Sequence, residues 1–329
     1  MPELLAPAGN FEKLKVAFHY GADAVYAGLD KLSLRANADN FSREELAQAV
    51  EYTHAIGKKI YIALNIYFMS EHEERIVDAL IFLAKIKPDG MIISDMGVFY
   101  LAKKYAPEVA VHISTQANCT NQYAAMMYSS IGANRVVLAR ELGIEAIQTI
   151  RKALPDLELE AFVHGAMCIA YSGRCLLSSY MTTKGLGTQK DDGTRSANQG
   201  DCAHSCRWEF FLKEKTRKDD TFDISSDENG TYILSSKDIC MINHVKDLID
   251  VGVSSFKIEG RMKSILYISS IVRAYRYVID CIQSGRPLDR MEQVYQELDV
   301  VSHREFSTGF FYKKPYEDAN IAGSAEYKR

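Results

Sequence analysis

Short apolar runs alternate with helix-period segments along most of this chain, and that alternation restricts the fold more than any other feature. Apolar stretches at 3–6, 24–28, 60–64, 90–94, 111–114, 135–138, 157–163 and 255–259 read as eight strands. Helical patterns follow at about 10–20, 42–57, 70–87, up to 105, 121–131, 144–153, 238–251 and 264–284. Asn10 is placed to cap the first helix, Ser42-x-x-Glu45 is a capping box, and Gly21 and Gly57 stop their helices. Strand–helix units joined mostly by short loops imply a parallel sheet. Eight of them is the number that closes a (β/α)8 TIM-type barrel. A doubly wound open sheet is the alternative, but the first strand–helix turn, APAGNFEKL, lacks the G-x-G-x-x-G of a dinucleotide fold. The expectation is an α/β barrel over 1–285, with a long cysteine-containing insertion at 163–237 after strand seven. Residues 286–329 read as a tail without clear organisation, expected to be the start of a longer C-terminal region.

With 329 residues, 47% of them hydrophobic, the chain can bury a large core. A net charge of −4 argues against wholesale electrostatic wrapping of nucleic acid and leaves room for a local basic patch. The opening MPELLAPAGNFEKL has no basic region followed by an apolar run, and no apolar segment approaches the ~18–20 residues that cross a bilayer. These features predict a cytoplasmic protein without membrane contact. In that reducing compartment, clustered cysteines serve as ligands or catalytic groups rather than as disulfides.

Four of the seven cysteines, Cys168, Cys175, Cys202 and Cys206, fall in the polar, Gly-rich insertion with the spacing C-x6-C-x26-C-x3-C. Thiolates gathered from separated turns suit a soft metal centre. Zinc sites pair two short C-x2–4-C knuckles, whereas only Cys202–Cys206 is short here. An iron–sulfur cluster tolerates irregular spacing because each thiolate binds a different iron, so spacing favours it modestly. Cys240 is an alternative ligand, Cys119 is placed to face the same mouth, and Cys281 falls on the last helix.

Barrel chemistry sits at the C-terminal strand ends. That rule gathers Arg35 and Asn37, Asn65, Asp95, Gln116 and Asn118, Arg140 and Glu141, and the Lys257–Glu259–Arg261 group. Arg35, Asn65, Gln116, Asn118 and Arg140 are the substrate-binding candidates, and Glu160, His164, Lys257, Glu259 and Arg261 the catalytic ones. Glu160, on strand seven, needs a cation or hydrogen bonds if it points inward, and His164 beside it is a candidate acid–base group. Lys257 and Glu259 share a strand face, and Arg261 follows at the mouth, a set able to hold a carboxylate or phosphate. KEKTRK at 213–218, with Lys184, Lys190, Arg195, Arg207 and Trp208, makes the insertion locally basic, as an RNA contact or an ordinary solvated loop would be. No H-E-x-x-H or G-x-S-x-G motif is present.

The run EAFVHGAMCIAYSGRCLLS at 160–178 resembles the signature of the collagenase-like peptidase family U-32. ELLAPAGNFEKLKVAFHYGADAVYAG, NQGDCAHSCRW and FKIEGRMKS resemble the same family, and together these stretches span about 1–309. Despite the family's name, the resemblance implies oxygen-independent hydroxylation and RNA modification by a barrel carrying a four-cysteine iron–sulfur (4Fe-4S) cluster. DENGTYILSSKD at 227–238 and CRWEF at 206–210 look most like the prephenate-dependent tRNA hydroxylases, which make 5-hydroxyuridine at the wobble position. Cousins hydroxylate a cytidine of 23S ribosomal RNA or the ring of a ubiquinone precursor. The resemblance implies Cys168, Cys175, Cys202 and Cys206 as ligands, with Cys240 left open. It implies prephenate, a dicarboxylate, as co-substrate, with Arg261, Arg140 or Arg35 to hold it.

Overall fold

A computed structural model describes residues 1–29, 32–33, 40–168, 170–182, 195–208, 226–227, 230–231 and 237–312. Its strands are β1 (Glu3–Pro7), β2 (Ala24–Gly28), β3 (Lys59–Leu64), β4 (Gly90–Ile93), β5 (Val111–Ile113), β6 (Arg135–Val137), β7 (Glu158–Ala166), β8 (Ser226–Asp227), β9 (Gly230–Thr231), β10 (Asp238–Cys240), β11 (Ser255–Ile258) and β12 (Phe306–Ser307). Its α-helices are α1 (Phe11–His19), α2 (Arg43–Ala55), α3 (Glu73–Ile86), α4 (Met96–Tyr105), α5 (Gln122–Ser130), α6 (Ile144–Ala153), α7 (Leu177–Thr182), α8 (Val245–Asp250), α9 (Ile265–Ser284) and α10 (Met291–Asp299).

Strands β1 to β7 pair in sequence order, all parallel, and β11 bonds to both β7 and β1. That double pairing closes an eight-stranded parallel barrel, the (β/α)8 architecture expected from the alternation. The strands are apolar throughout because one face meets the helices and the other fills the barrel; all five residues of β2 are buried. The expected caps form. Asn10 Oδ1 accepts from the Lys13 N–H at 2.9 Å, and Ser42 and Glu45 complete a reciprocal capping box.

Two stretches depart from the sequence reading. The helix expected over 238–251 starts only at Val245, because 238–240 instead form β10, antiparallel to the end of β7. β7 runs to Ala166, past the barrel rim, and its free edge there takes a strand more readily than a helix. Residues 286–312 are likewise not an unorganised tail. Helix α10 packs on α9, β12 pairs with β10, and the Arg304 guanidinium is buried against the Asp238 carboxylate at 2.6 Å. A buried arginine is tolerated only with such a partner, so this stretch belongs to the barrel body. Residues 313–329 lie outside the described residues.

The barrel's lower interior is ionic rather than apolar. Glu160, fully buried, accepts from Lys257 Nζ at 2.7 Å and from Arg135 Nη1 at 3.0 Å. Arg135 also donates to Glu3 at 2.6 Å and to Glu158 at 2.8 Å, and the Tyr61 hydroxyl donates to Glu3 at 2.6 Å. Burial opposes the charge on Glu160, but Lys257 and Arg135 outweigh it and hold the carboxyl below its ordinary range. Burial also pulls the Lys257 ammonium below the usual lysine value, with Glu160 acting against that shift. The network fixes Lys257 beneath the mouth. Among the described residues, no helix is long and apolar enough to cross a membrane.

Candidate metal centre and anion cavity at the barrel mouth

The described part of the insertion after β7 folds back over the barrel mouth, anchored there by hydrogen bonds. The Ser178 hydroxyl donates to the Arg195 carbonyl at 2.6 Å and accepts from the Ala203 N–H at 2.9 Å, tying α7 to the Cys202 segment. Arg195 also bonds the Asp201 carboxylate and the Cys202 carbonyl. Glu141, after β6, accepts from the Ser172 N–H at 2.8 Å, and the Tyr67 N–H donates to the Asn198 carbonyl at 2.9 Å. Gly173 sits at φ +76°, where an added Cβ would lie 2.1 Å from the Gln116 carbonyl oxygen, so glycine alone permits this approach.

This folding brings Cys168, Cys175, Cys202 and Cys206 to the wall of one cleft of about 180 Å³. Arg140, Glu141, Glu259 and Lys263 share its lining. The His204 N–H donates to Cys202 Sγ at 3.3 Å, the kind of contact that stabilises a bound thiolate. No three His, Cys, Asp or Glu side chains among the described residues stand close enough to grip a single metal ion. A tetrahedral zinc knuckle, with Zn–S near 2.3 Å, requires that closeness. A four-cysteine donor set on one cleft wall is the ligand set that a polynuclear iron–sulfur cluster takes, each thiolate meeting its own iron.

Cys240 is elsewhere. It lines a separate cavity with His244, Tyr295 and Phe306, and burial pushes its thiol up to about 11. Cys119 is buried in the apolar core rather than facing the mouth, and Cys281 is buried on α9.

Beneath the cleft, on the barrel axis, lies a cavity of about 50 Å³ lined by Arg140, Lys257, Arg261 and Glu259, together with Asn65 and Gln116. Arg140 and Arg261 face Glu259 here, and Lys257, already paired with Glu160, lies beneath them. Arg140 lies over the Phe162 ring at 3.9 Å and donates to the Ala166 carbonyl at 2.8 Å, so its guanidinium plane is fixed. Arg261, 4% exposed, donates through both terminal nitrogens to Ser33 at 3.1 Å. It reaches there because Gly28 has no side chain; a Cβ would stand 2.1 Å from Arg261 Nη1. Lys257 is centred 4.4 Å from the Tyr26 ring. A third cavity, about 310 Å³, opens beside these under Tyr67, Phe68 and Arg174. Gln116 lines all three.

Of the residues singled out in the sequence, Asn65, Gln116, Arg140, Lys257, Glu259 and Arg261 meet at the mouth. Glu160 does not; it lies below, holding Lys257. His164 is also misplaced as an acid–base candidate, for it packs against Tyr267, Tyr275 and Phe306 and lines none of the three cavities. Burial there drives its imidazole down to about 3. Asn118 lines none of them either. It ends the turn Thr115–Ala117 in the left-handed region at φ +53°, with its Oδ1 buried. Arg35, Asn37, Lys184, Lys190 and 213–218 lie outside the described residues. Arg174 and Asn198 escaped the sequence reading. Both lie on the insertion between the cysteines, and the R of the SGRC run was the one available signal.

The profile described as "Peptidase family U32" matches residues 9–321. The chain is 41% identical over 320 residues to "tRNA hydroxylation protein P1" of Bacillus subtilis (strain 168), covering 96% of this chain and 72% of that protein. It is 42% identical to an "Uncharacterized protease" of Methanocaldococcus jannaschii, covering 95% and 74%. It is 37% identical to the "23S rRNA 5-hydroxycytidine C2501 synthase" of Escherichia coli (strain K12), covering 86% of this chain and 40% of that protein. On a match of that length and relatives of that identity, the chain belongs to peptidase family U32.

Proposed function

We propose that this protein hydroxylates the wobble uridine of tRNA at C5, with prephenate as co-substrate and a 4Fe-4S cluster held by Cys168, Cys175, Cys202 and Cys206. The observation that carries the reading is the convergence of four cysteines and three cations on adjoining cavities of one barrel mouth. The reaction class comes from relatives named for tRNA hydroxylation and for synthesis of 5-hydroxycytidine in 23S rRNA.

Turning a ring C–H into C–OH adds an oxygen atom and oxidises the base by two electrons. The step balances if the co-substrate gives up an oxygen atom and is itself reduced by two electrons, with a redox-active group to relay them. An iron–sulfur cluster, when bound, supplies one-electron transfer. The chain's own residues do the positioning. Arg140 and Arg261 grip the carboxylates of prephenate through paired N–H donors, and Lys257 adds a point charge from below. One carboxylate enters the axial cavity while the rest of the molecule lies in the cysteine cleft. Glu259, 3.9 Å from Arg140, keeps that guanidinium turned to the axis before the anion arrives. The folded-back insertion covers the mouth and limits water, which strengthens each of these contacts. A reducing cytoplasm keeps the thiols available as ligands.

Nucleoside analysis tests the reading. tRNA from cells lacking the gene and its paralogues loses 5-hydroxyuridine, as does tRNA from cells unable to make prephenate. The wild-type gene restores it and Cys175→Ala does not. Persistence of the nucleoside without the gene refutes the assignment; loss of a 23S rRNA hydroxycytidine or of a quinone in its place redirects it. Anaerobically purified protein should carry about four iron and four sulfide per chain, and zinc in their place would overturn the cofactor.

A further inference from the structure

We propose that the cavity of about 310 Å³ under Tyr67, Phe68 and Arg174 is the pocket that receives the flipped pyrimidine base, apart from the cationic cavity that takes the dicarboxylate. The inference rests on the RNA-hydroxylase reading and divides the mouth between its two substrates.

Charge and shape make the division. The axial cavity, with Arg140 and Arg261 in its wall, suits one carboxylate of that dianion. The neighbouring cavity shares Asn65 and Gln116 with it but adds the Asn198 amide and the Tyr67 and Phe68 rings in place of the buried cations. An amide offers both a donor and an acceptor, which matches the alternating edge of an uncharged pyrimidine. Enzymes that act on a base take it out of the stack, sandwich it between flat or apolar side chains and read its edge by hydrogen bonds. Ligand cavities span roughly 300–1,000 Å³, so this one lies at the small end, where a single ring belongs. Its Asp95 is already occupied, with Oδ1 accepting from the Gly97 and Val98 N–H groups at the start of α4. That carboxylate caps a helix and does not make the pocket a cation site.

Three features connect this pocket to RNA and to the reaction. Tyr67 is 59% exposed, a ring presented to solvent at the rim where an incoming base would stack. Arg174 is exposed, its side chain has no hydrogen bond or ion pair among the described residues, and it lines both this pocket and the cysteine cleft. A guanidinium in that position would contact the phosphate of the flipped nucleotide, which fixes register without reading sequence. Gln116, common to all three cavities, places the seated base beside both the dicarboxylate and the cysteines.

The test uses an anticodon stem–loop RNA carrying 4-thiouridine at the wobble position, photo-crosslinked to the iron-loaded full chain and mapped by mass spectrometry. Crosslinks are expected on the peptide containing Tyr67 and Phe68 or on that containing Asn198. Steady-state kinetics should show Tyr67→Ala raising KM for the RNA about 10-fold, the stacking worth of one base, with KM for prephenate unchanged and Tyr67→Phe restoring the wild-type value. Crosslinks confined to Met262–Lys263, or a Tyr67→Ala effect on prephenate instead of RNA, overturn the pocket assignment while leaving the hydroxylase reading standing. Wild-type enzyme supplied with iron and prephenate that makes no 5-hydroxyuridine in any tRNA refutes the hydroxylase reading, and the pocket assignment with it.

Discussion

Glu160→Gln should unfold this barrel more readily and leave a distinctive pH signature. The carboxylate is fully buried and bridges Lys257 at 2.7 Å and Arg135 at 3.0 Å. Glutamine keeps its shape but removes the charge that holds the Lys257 ammonium, itself 4% exposed. The least costly response is for Lys257 to fold without its proton. Against an unfolded pKa near 10.4, that costs about 1.36 kcal/mol per pH unit, or about 4.6 kcal/mol at pH 7. The figure falls within the roughly 3–5 kcal/mol typical of breaking a buried pair. Glu259, whose charge also favours the ammonium, recovers part of it, so a loss of about 3–4 kcal/mol is expected at pH 7. The sign of the pH dependence follows from proton counting. In the variant the unfolded chain binds a proton at Lys257 that the native state lacks, so stability rises with pH until about 10.4. Urea unfolding followed by far-ultraviolet circular dichroism at pH 7, 8 and 9 should therefore show the gap to wild type narrowing. A loss under about 1 kcal/mol, or a gap that stays constant over that window, would mean that Lys257 is already neutral in the wild type and that no buried ion pair exists. Glu160→Leu combined with Lys257→Met should recover much of the loss, since an apolar pair carries no desolvation penalty.

Serine at any one of Cys168, Cys175, Cys202 or Cys206 should sharply lower bound iron, whereas Cys240→Ser should retain it; iron quantification on anaerobically purified variants decides. His164→Phe should blunt acid sensitivity. With the imidazole held at about 3 in the fold and near 6.5 when unfolded, the unfolded chain takes up a proton that the native state refuses, and stability falls as pH drops below 6.5. From pH 6.5 to 4.5 that amounts to about 2.3 kcal/mol, present in wild type and absent in the variant by urea midpoint. Gly173→Ala puts a Cβ against the Gln116 carbonyl at a left-handed backbone position, so hydroxylation should fall with little change in thermal midpoint. Removing iron with a chelator should admit protease within 168–208 while leaving the barrel resistant, measured by mass spectrometry of the fragments.

The barrel was legible because each unit announces itself locally. AVYAG is too short and too apolar for a surface helix, and Ser42 with Glu45 marks the next helix start whatever the surrounding fold. Residues 238–240 were misread because their strand character comes from the far end of β7, a partner more than seventy positions away that no window can register. Arg304 poses the same difficulty. An arginine in a polar stretch reads as surface, and only the Asp238 carboxylate 66 positions away makes its burial tolerable. The site divided in the same manner. Residues at strand ends, such as Arg140 and Glu259, follow from the barrel rule once strands are counted. Period-two alternation did not tell whether Glu160 lines a cavity or braces Lys257, because both roles put a carboxylate inside. His164, singled out only for lying beside Glu160 and the cysteines, is packed against Tyr275 and Tyr267 of α9, partners more than a hundred positions away that no local pattern registers.

The insertion shows why the cysteines are grouped as they are. Its described part presents Tyr171, Leu176 and Tyr180 to solvent, each more than 60% exposed, rather than burying them. Its described anchors are single hydrogen bonds, Ser178 to Arg195 and Ala203, Glu141 to Ser172, Tyr67 to Asn198, each worth about 1 kcal/mol. A segment held so lightly gains order from whatever binds it, because the free energy of ligating a metal group becomes free energy of folding. The Ser178 bridge draws the Cys202 segment toward α7, just beyond Cys175, so ligation at one place favours ligation at the other. The same segment supplies Arg174 and Asn198 to the neighbouring pocket. On the proposed reading, cofactor loading and assembly of the RNA-facing wall would be one event on one stretch of chain, set above the Glu160–Lys257–Arg135 network.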